Sequence, residues 1–268
     1  MSGSGMDASA AATRSPLDRE RLERALTTAW LGRSLEVLTT TGSTMDEARR
    51  AALAGARDGH AILADAQTRG RGSRGRPWAS PAGEDLYLSF ILRPSLPPEH
   101  LSTLTLAVGL GVAAAVRAWL TEQTPVGIKW PNDVLVRGRK IAGILVETLN
   151  LEVAFVGVGL NVNRRLFEPA LRGEATSLAI EGGASLDRPL VAARLLLEIE
   201  RAIDLWNAGD SAAIVPRVEE VLLYRGERVR VAGRIGKLRG LARDGALRLE
   251  LEEETIEVRS GQLERLEG

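Results

Sequence analysis

Three strand-like runs crowd into residues 126–163: VGIKWPNDVLV, RKIAGILVETL and EVAFVGVGLNVN. The turns between them are too short to hold a helix that would carry the chain back for parallel pairing. Neighbouring strands must therefore pair antiparallel, with the helices contributed from outside this block. Earlier runs, LEVLTTT, HAILADAQT and DLYLSFILRP, also read as strands, separated by a helix and by an arginine- and glycine-rich stretch. The pattern predicts an α+β fold built on a mixed, mainly antiparallel sheet.

The helices follow from local signals. Residues 17–31 place Leu22, Ala25 and Trp30 near helical spacing, which predicts a short amphipathic helix. Ser43 or Thr44 caps a second helix, with Asp46 and Glu47 in its first turn at the positive end of the dipole and a stop near Gly55 or Gly59. The stretch 101–120 is apolar, but its small residues and Arg117 suit a buried helix better than a membrane span. A further helix over 188–207 starts after Asp187 with Pro189 in its first turn, stacks Leu195, Ile199 and Ile203 on one face, and is expected to stop at Gly209. From about 221 the texture changes to short alternating strands broken by glycines, with an Asp244-Gly245 hairpin signal. This predicts a small β-barrel over 221–268, a body over 17–220 and a disordered polar segment over 1–16.

Composition removes several kinds of chemistry. There is no cysteine, so thiolate catalysis and cysteine-based zinc sites are excluded. The two histidines, His60 and His100, lie far apart and read as surface or strand-cap residues. Lys and Arg total 35 and so do Asp and Glu, so no global field favours nucleic acid or an anionic membrane. The first 20 residues carry charges and no apolar run, which reads as a cytoplasmic protein.

Anion binding must then come from local clustering, and TRGRGSRGRPW, residues 68–78, is where arginines cluster. Its GRGSRG core matches G-x-G-x-x-G, but Pro77 and Pro81 prevent the helix that a dinucleotide loop must open. A nucleic-acid arm would be longer and repetitive, whereas this stretch is hemmed by strands. A phosphate clamp and a solvated charged turn both remain open: glycines expose backbone N–H groups, and Arg71, Arg74 and Arg76 could gather around an anion with Trp78 offering a flat face. KWPND, residues 129–133, is a rigid polar turn of the kind that positions side chains. KIAGILVE then sends Lys140 into an apolar strand, where its charge needs an anion, with Gly143 leaving room beside it.

Taken together, GSTMDEA, AQTRGRGSRGRPW, LYLSFILRP, KWPNDVLV, RKIAGILVE and GVGLNVN resemble the biotin protein ligases over roughly residues 36–268. The resemblance implies a class II synthetase-like ligase body with an SH3-like C-terminal barrel. It also implies a two-step reaction, in which biotin and Mg-ATP give biotinyl-5′-adenylate and the biotin then passes to a lysine of a biotin carboxyl carrier protein. Activation of this kind needs positive charge, a metal and alignment, not a protein nucleophile. By similarity, Ser43, Thr44, Met45, Gln67, Gly72, Ser73 and Gly143 would surround biotin, and the loop Arg71–Arg76 would close over it. Lys140 and Arg71 would meet the carboxylate and α-phosphate, with Lys129, Asn132 and Asp133 organising the centre. Arg74, Arg76 and Trp78 would lie at the nucleotide end, and Asn161 near the phosphates or Mg²⁺.

One position departs from the family's usual Gly-Arg-Gly-Arg-x-Gly-Arg: Ser73 stands at the fourth place, with Arg74 beside it. The resemblance gives that arginine a part in ordering the loop and retaining the adenylate. It further implies a ligase without operator binding, acting as a monomer or homodimer. The competing readings are a lipoate or octanoate ligase or transferase on the same fold, and a non-catalytic nucleic-acid binder built on the arginine–glycine loop.

Overall fold

The computed structural model describes residues 16–266; the segment expected to be disordered therefore lies, but for Pro16, outside the described residues. Seven strands form the main sheet: β1 (Leu35–Thr41), β2 (Ala61–Gln67), β3 (Leu86–Leu92), β4 (Val126–Lys129), β5 (Asp133–Val136), β6 (Arg139–Leu149) and β7 (Val153–Leu160). Their spatial order is β1-β2-β3-β7-β6-β5-β4. Only β1 and β2 run parallel, because α2 (Thr44–Leu53) carries the chain between them; the other neighbours pair antiparallel, which the short turns require for β4 to β7.

One face of the sheet is closed by α3 (Leu104–Arg117) and α5 (Arg188–Glu219). The stretch His100–Arg117 is long and apolar enough to cross a membrane, and in the fold most of it is buried, with Leu104, Val108, Val112 and Val116 in the core. α5 does not stop at Gly209 but runs on to Glu219. An interior glycine costs about 1 kcal/mol, and burial of Ile214, Val215 and Val218 beyond it outweighs that. The first helix, α1 (Arg19–Ala25), is shorter than its pattern suggested. The buried Glu200 carboxylate of α5 accepts the backbone N–H groups of Ala29, Trp30 and Leu31 at 2.7, 2.8 and 2.8 Å, pulling that segment out of helical pairing. His60 is buried at the start of β2 and hydrogen-bonds Ser34 at 2.8 Å, a strand-capping role.

The opposite face is covered only in part. There α2 packs Met45 and Ala48 on Ile62, Ile91 and Phe155. Further along the same face the strands carry glycine: Ser89 pairs with Gly157, Tyr87 with Gly159, Gly159 with Gly143, and Gly143 with Asp133. Because strand side chains alternate between faces, Gly157 and Gly159 fall on the open side while Val156 and Val158 fill the core. A cavity floor is made by leaving side chains out.

After α5 the chain forms a second, antiparallel sheet of β8 (Arg228–Val231), β9 (Arg234–Leu241), β10 (Leu247–Glu250), β11 (Thr255–Val258) and β12 (Leu263–Arg265), in the order β11-β10-β9-β8-β12. Its 242–246 hairpin is docked on the body. Ser102 Oγ donates to the Asp244 carbonyl at 2.8 Å, and the buried Trp130 indole donates to that of Gly245 at 3.1 Å. Gly245 has φ +80°, and a Cβ there would lie 2.9 Å from Leu106, so this contact requires glycine.

Candidate functional site

The open face holds a cavity of about 580 Å³. It begins at the start of α2, where Ser43, Thr44 and Met45 are almost completely buried yet line it. Ser43 precedes the helix in an extended conformation but makes no capping bond, so its hydroxyl is left for another partner. Thr44 is fixed on two sides: its backbone N–H and hydroxyl donate to Gln67 Oε1 at 2.9 and 3.1 Å, and its hydroxyl lies 2.7 Å from Ser89 Oγ. Gln67 then donates to Ser80, whose hydroxyl donates to the Trp78 carbonyl at 3.0 Å. One chain of hydrogen bonds thus ties this end of the cavity to the far side of the arginine–glycine loop.

The loop is a hairpin over the cavity. Its base is closed by backbone bonds from Arg69 to Gly42 at 2.8 Å and from Trp78 to Gly70 at 2.9 Å. A Cβ on Gly70 would come within 2.6 Å of the Trp78 carbonyl, so the base closes only around glycine. Trp78 lies flat on the cavity floor, where Cβ atoms on Gly143 and Gly159 would strike its ring at 2.9 and 2.6 Å. The Lys140 ammonium is 5.3 Å from the ring centroid, close enough for a cation–π attraction.

Lys140 is the cation at the centre of the cavity. The strand β6 holds it firmly, since its backbone N–H bonds the Glu174 carbonyl at 2.8 Å and its carbonyl accepts from Thr176 at 2.9 Å. Its Nζ pairs with Asp133 Oδ1 at 2.6 Å. Asn132, which precedes Asp133, donates to the Ile144 carbonyl at 2.9 Å and to Ser73 Oγ at 3.4 Å, so the KWPND turn touches both the sheet and the loop. Lys129 also lines the cavity. Arg71 forks onto Asp46 of α2 at 2.7 and 3.1 Å, and the hydrogen-bonded guanidinium holds the Asp46 carboxyl below the usual carboxylate range. Several cations thus line one small volume, and although Arg71 and Lys140 each hold a carboxylate, a carboxylate or phosphate ligand could compete for them.

A buried ionic cluster forms another part of the cavity wall. Arg164 pairs with Asp85 at 2.5 Å and holds the Ala79 carbonyl at 2.8 Å, while the Tyr87 hydroxyl donates to the Pro81 carbonyl at 2.9 Å. Burial pushes the Asp85 carboxyl up against the opposing pull of Arg164, and burial with the neighbouring Asp85 charge raises the Tyr87 phenol. These groups anchor the segment that follows Trp78.

Every residue expected at the site lines the cavity except Arg74. Arg74 adopts φ +60° at the loop tip and faces a separate crevice of about 180 Å³ beside Lys129 and Pro131. Asn161 is buried, donates to the Thr176 carbonyl at 2.9 Å, and leaves its amide oxygen for a ligand. No group of three or more potential metal-ligating side chains occurs among the described residues. A hard cation here would be carried by a ligand's phosphates with one or two protein oxygens, as Mg²⁺ commonly is. Several lining residues were not anticipated: Tyr87, Ser89, Arg164 and Phe167 from the body, and Tyr224, Gln262, Glu264 and Arg265 from the second sheet and its approach. Ser89 left a trace, as a polar residue inside the apolar run LYLSFIL.

Residues 37–163 match the biotin/lipoate A/B protein ligase family. The chain is 40% identical over 263 residues to the biotin–(acetyl-CoA-carboxylase) ligase of Mycobacterium tuberculosis, covering 94% of this chain and 97% of that protein. It is 34% identical over 202 residues to the bifunctional ligase/repressor BirA of Escherichia coli, covering 72% of this chain and 62% of that one. Among solved structures, the Aquifex aeolicus biotin protein ligase in complex with biotin and ATP superposes with a TM-score of 0.77 at 33% identity, over 87% of this chain and 100% of that one.

Proposed function

This chain belongs to the biotin protein ligase family, and from that premise we propose that its cavity binds biotin and ATP and that the protein attaches biotin to an acceptor protein. The observation that carries the reading is the placement of Lys140 and Arg71 over a floor of Gly143, Gly157 and Gly159, with the Thr44–Gln67–Ser89 network at one end. The glycines let Trp78 and Met45 lie close against the sheet, and the room left beside these side chains takes a small bicyclic ligand. The hydroxyls and amide of Ser43, Thr44 and Gln67 supply donors and acceptors for its ureido ring, and the ligand's carboxylate then extends toward Lys140.

The chemistry we assign has two steps. In the first, an oxygen of the biotin carboxylate attacks the α-phosphorus of ATP; a new P–O bond forms, the bond to the β-phosphate breaks, and pyrophosphate leaves with the electron pair. Lys140 and Arg71 neutralise charge at this centre; Mg²⁺ bound with ATP would supply further charge neutralisation on the phosphates, and the Asn161 amide oxygen would be the protein group to help hold it. In the second step an acceptor lysine amine attacks the acyl carbon, and AMP departs from the mixed anhydride. Asp133, released from Lys140 as the phosphate takes up that cation, steers the lysine and takes its proton. We assign the acceptor to the biotin carboxyl carrier protein of acetyl-CoA carboxylase, and we read the second sheet as a small SH3-like barrel over 221–268.

Titration calorimetry with biotin tests the reading. Wild-type protein should bind, and Lys140→Ala should lose activation by roughly 10²–10³, the scale for removing one preorganised charge-stabilising group. Wild-type protein that gives no heat with biotin would falsify the assignment.

A further inference from the structure

We propose that Asp46 is a positioning residue, which straps the arginine–glycine loop across the mouth of the cavity and aims the Arg71 fork at the ligand. The proposal rests on the biotin-ligase reading above. Asp46 follows directly on Ser43, Thr44 and Met45, which line the cavity from the start of α2; Arg71, Gly72 and Ser73 line it from the arginine–glycine loop. Each carboxylate oxygen takes one terminal nitrogen, at 2.7 and 3.1 Å, so the contact fixes orientation as well as distance. The Nε–H and the outer N–H groups of Arg71 stay available for an anion.

The loop has little else of this kind. Beyond its base, where Thr68 and Trp78 hold it to the sheet, the other side-chain bonds of residues 71–76 are Asn132 to Ser73 at 3.4 Å and Arg76 to Gln262 of the second sheet's approach at 3.5 Å, both at the long limit of hydrogen bonding. Helix-dipole complementarity accounts for an acid in the first turn but not for a two-point contact to a loop 25 residues away. Glu47, equally placed for the dipole, pairs with Arg50 and Thr41 on its own side instead. Both members of the Asp46–Arg71 pair are 36% exposed, which leaves the strap weak enough to open when ligand enters or leaves.

The test is ligand escape. Biotin, and separately biotinyl-adenylate formed on the enzyme, are chased from wild type, Asp46→Asn and Asp46→Ala, with thermal midpoints measured alongside. Release should quicken by roughly two- to fivefold in Asp46→Asn, the range expected of an exposed ion pair, and by at least as much in Asp46→Ala, with thermal midpoints unchanged. Raising the salt should narrow the gap, because the wild-type strap is itself screened. Release at the wild-type rate in both variants overturns the proposal, as does an effect seen only as a lower thermal midpoint. Wild-type protein that holds no biotin overturns the ligase reading and this proposal with it, an outcome visible before any variant is compared.

Discussion

Gly159→Ala probes the cavity floor with a single methyl group. Built on the existing backbone, the new Cβ would sit 2.6 Å from both Cζ2 and Nε1 of Trp78, where an ordinary contact is at least ~3.4 Å. The indole, which also lies against Gly143 and Lys140, must therefore retreat by about 1 Å from the sheet. Overpacking on this scale costs about 1–3 kcal/mol, which corresponds to a loss of biotin affinity of roughly 5- to 150-fold if the ring is pushed into the ligand's space. Gly109→Ala is the control. Its Cβ meets only Ile128, at 3.6 Å, in the middle of α3, and helix propensity favours the change by about 1 kcal/mol. Calorimetry with biotin and thermal melts of both variants separate the effects: Gly159→Ala should weaken binding, and Gly109→Ala should bind normally and melt no earlier than wild type. Full biotin affinity in Gly159→Ala would refute the claim that Trp78 and the glycine floor shape the ligand site.

Two other substitutions follow from specific contacts. Trp130→Phe keeps a buried ring but removes the donor to the Gly245 carbonyl, leaving that carbonyl unpaired at a cost of about 1–3 kcal/mol; adenylate formation should slow more than biotin affinity falls, and equal losses in both would contradict a link from the second sheet to the KWPND turn. Ser73→Arg adds a cation to the loop beside Asn132 and should slow escape of biotinyl-adenylate in a chase experiment, whereas an unchanged rate would show that Arg74 and Arg71 already suffice.

What was legible in the chain was local. The start of α2, the KWPND turn and the β6 lysine are each written within a few consecutive residues, and the short turns of 126–160 force antiparallel neighbours. The glycine floor is also readable afterwards in FVGVGL, where period-2 alternation puts the valines in the core and the glycines on the open face. What escaped depends on packing between distant segments. Gln262 and Arg265 reach the cavity because the second sheet folds back against the loop, which no local pattern encodes. Gly209 misled because an interior glycine is a weak stop against a buried apolar face. Arg74's place could not be read from the sequence, because its left-handed backbone at the loop tip turns it into a crevice that adjoins the cavity. Asp46 was legible as a dipole residue, but its partner lies on another element.

We propose that this cavity activates biotin with ATP. Release of pyrophosphate from Mg-ATP, followed with biotin, lipoate and octanoate in parallel, tests it most directly. The geometry predicts release that depends on biotin and is lost in Lys140→Ala; no release with biotin, or equal release with lipoate or octanoate, would contradict it.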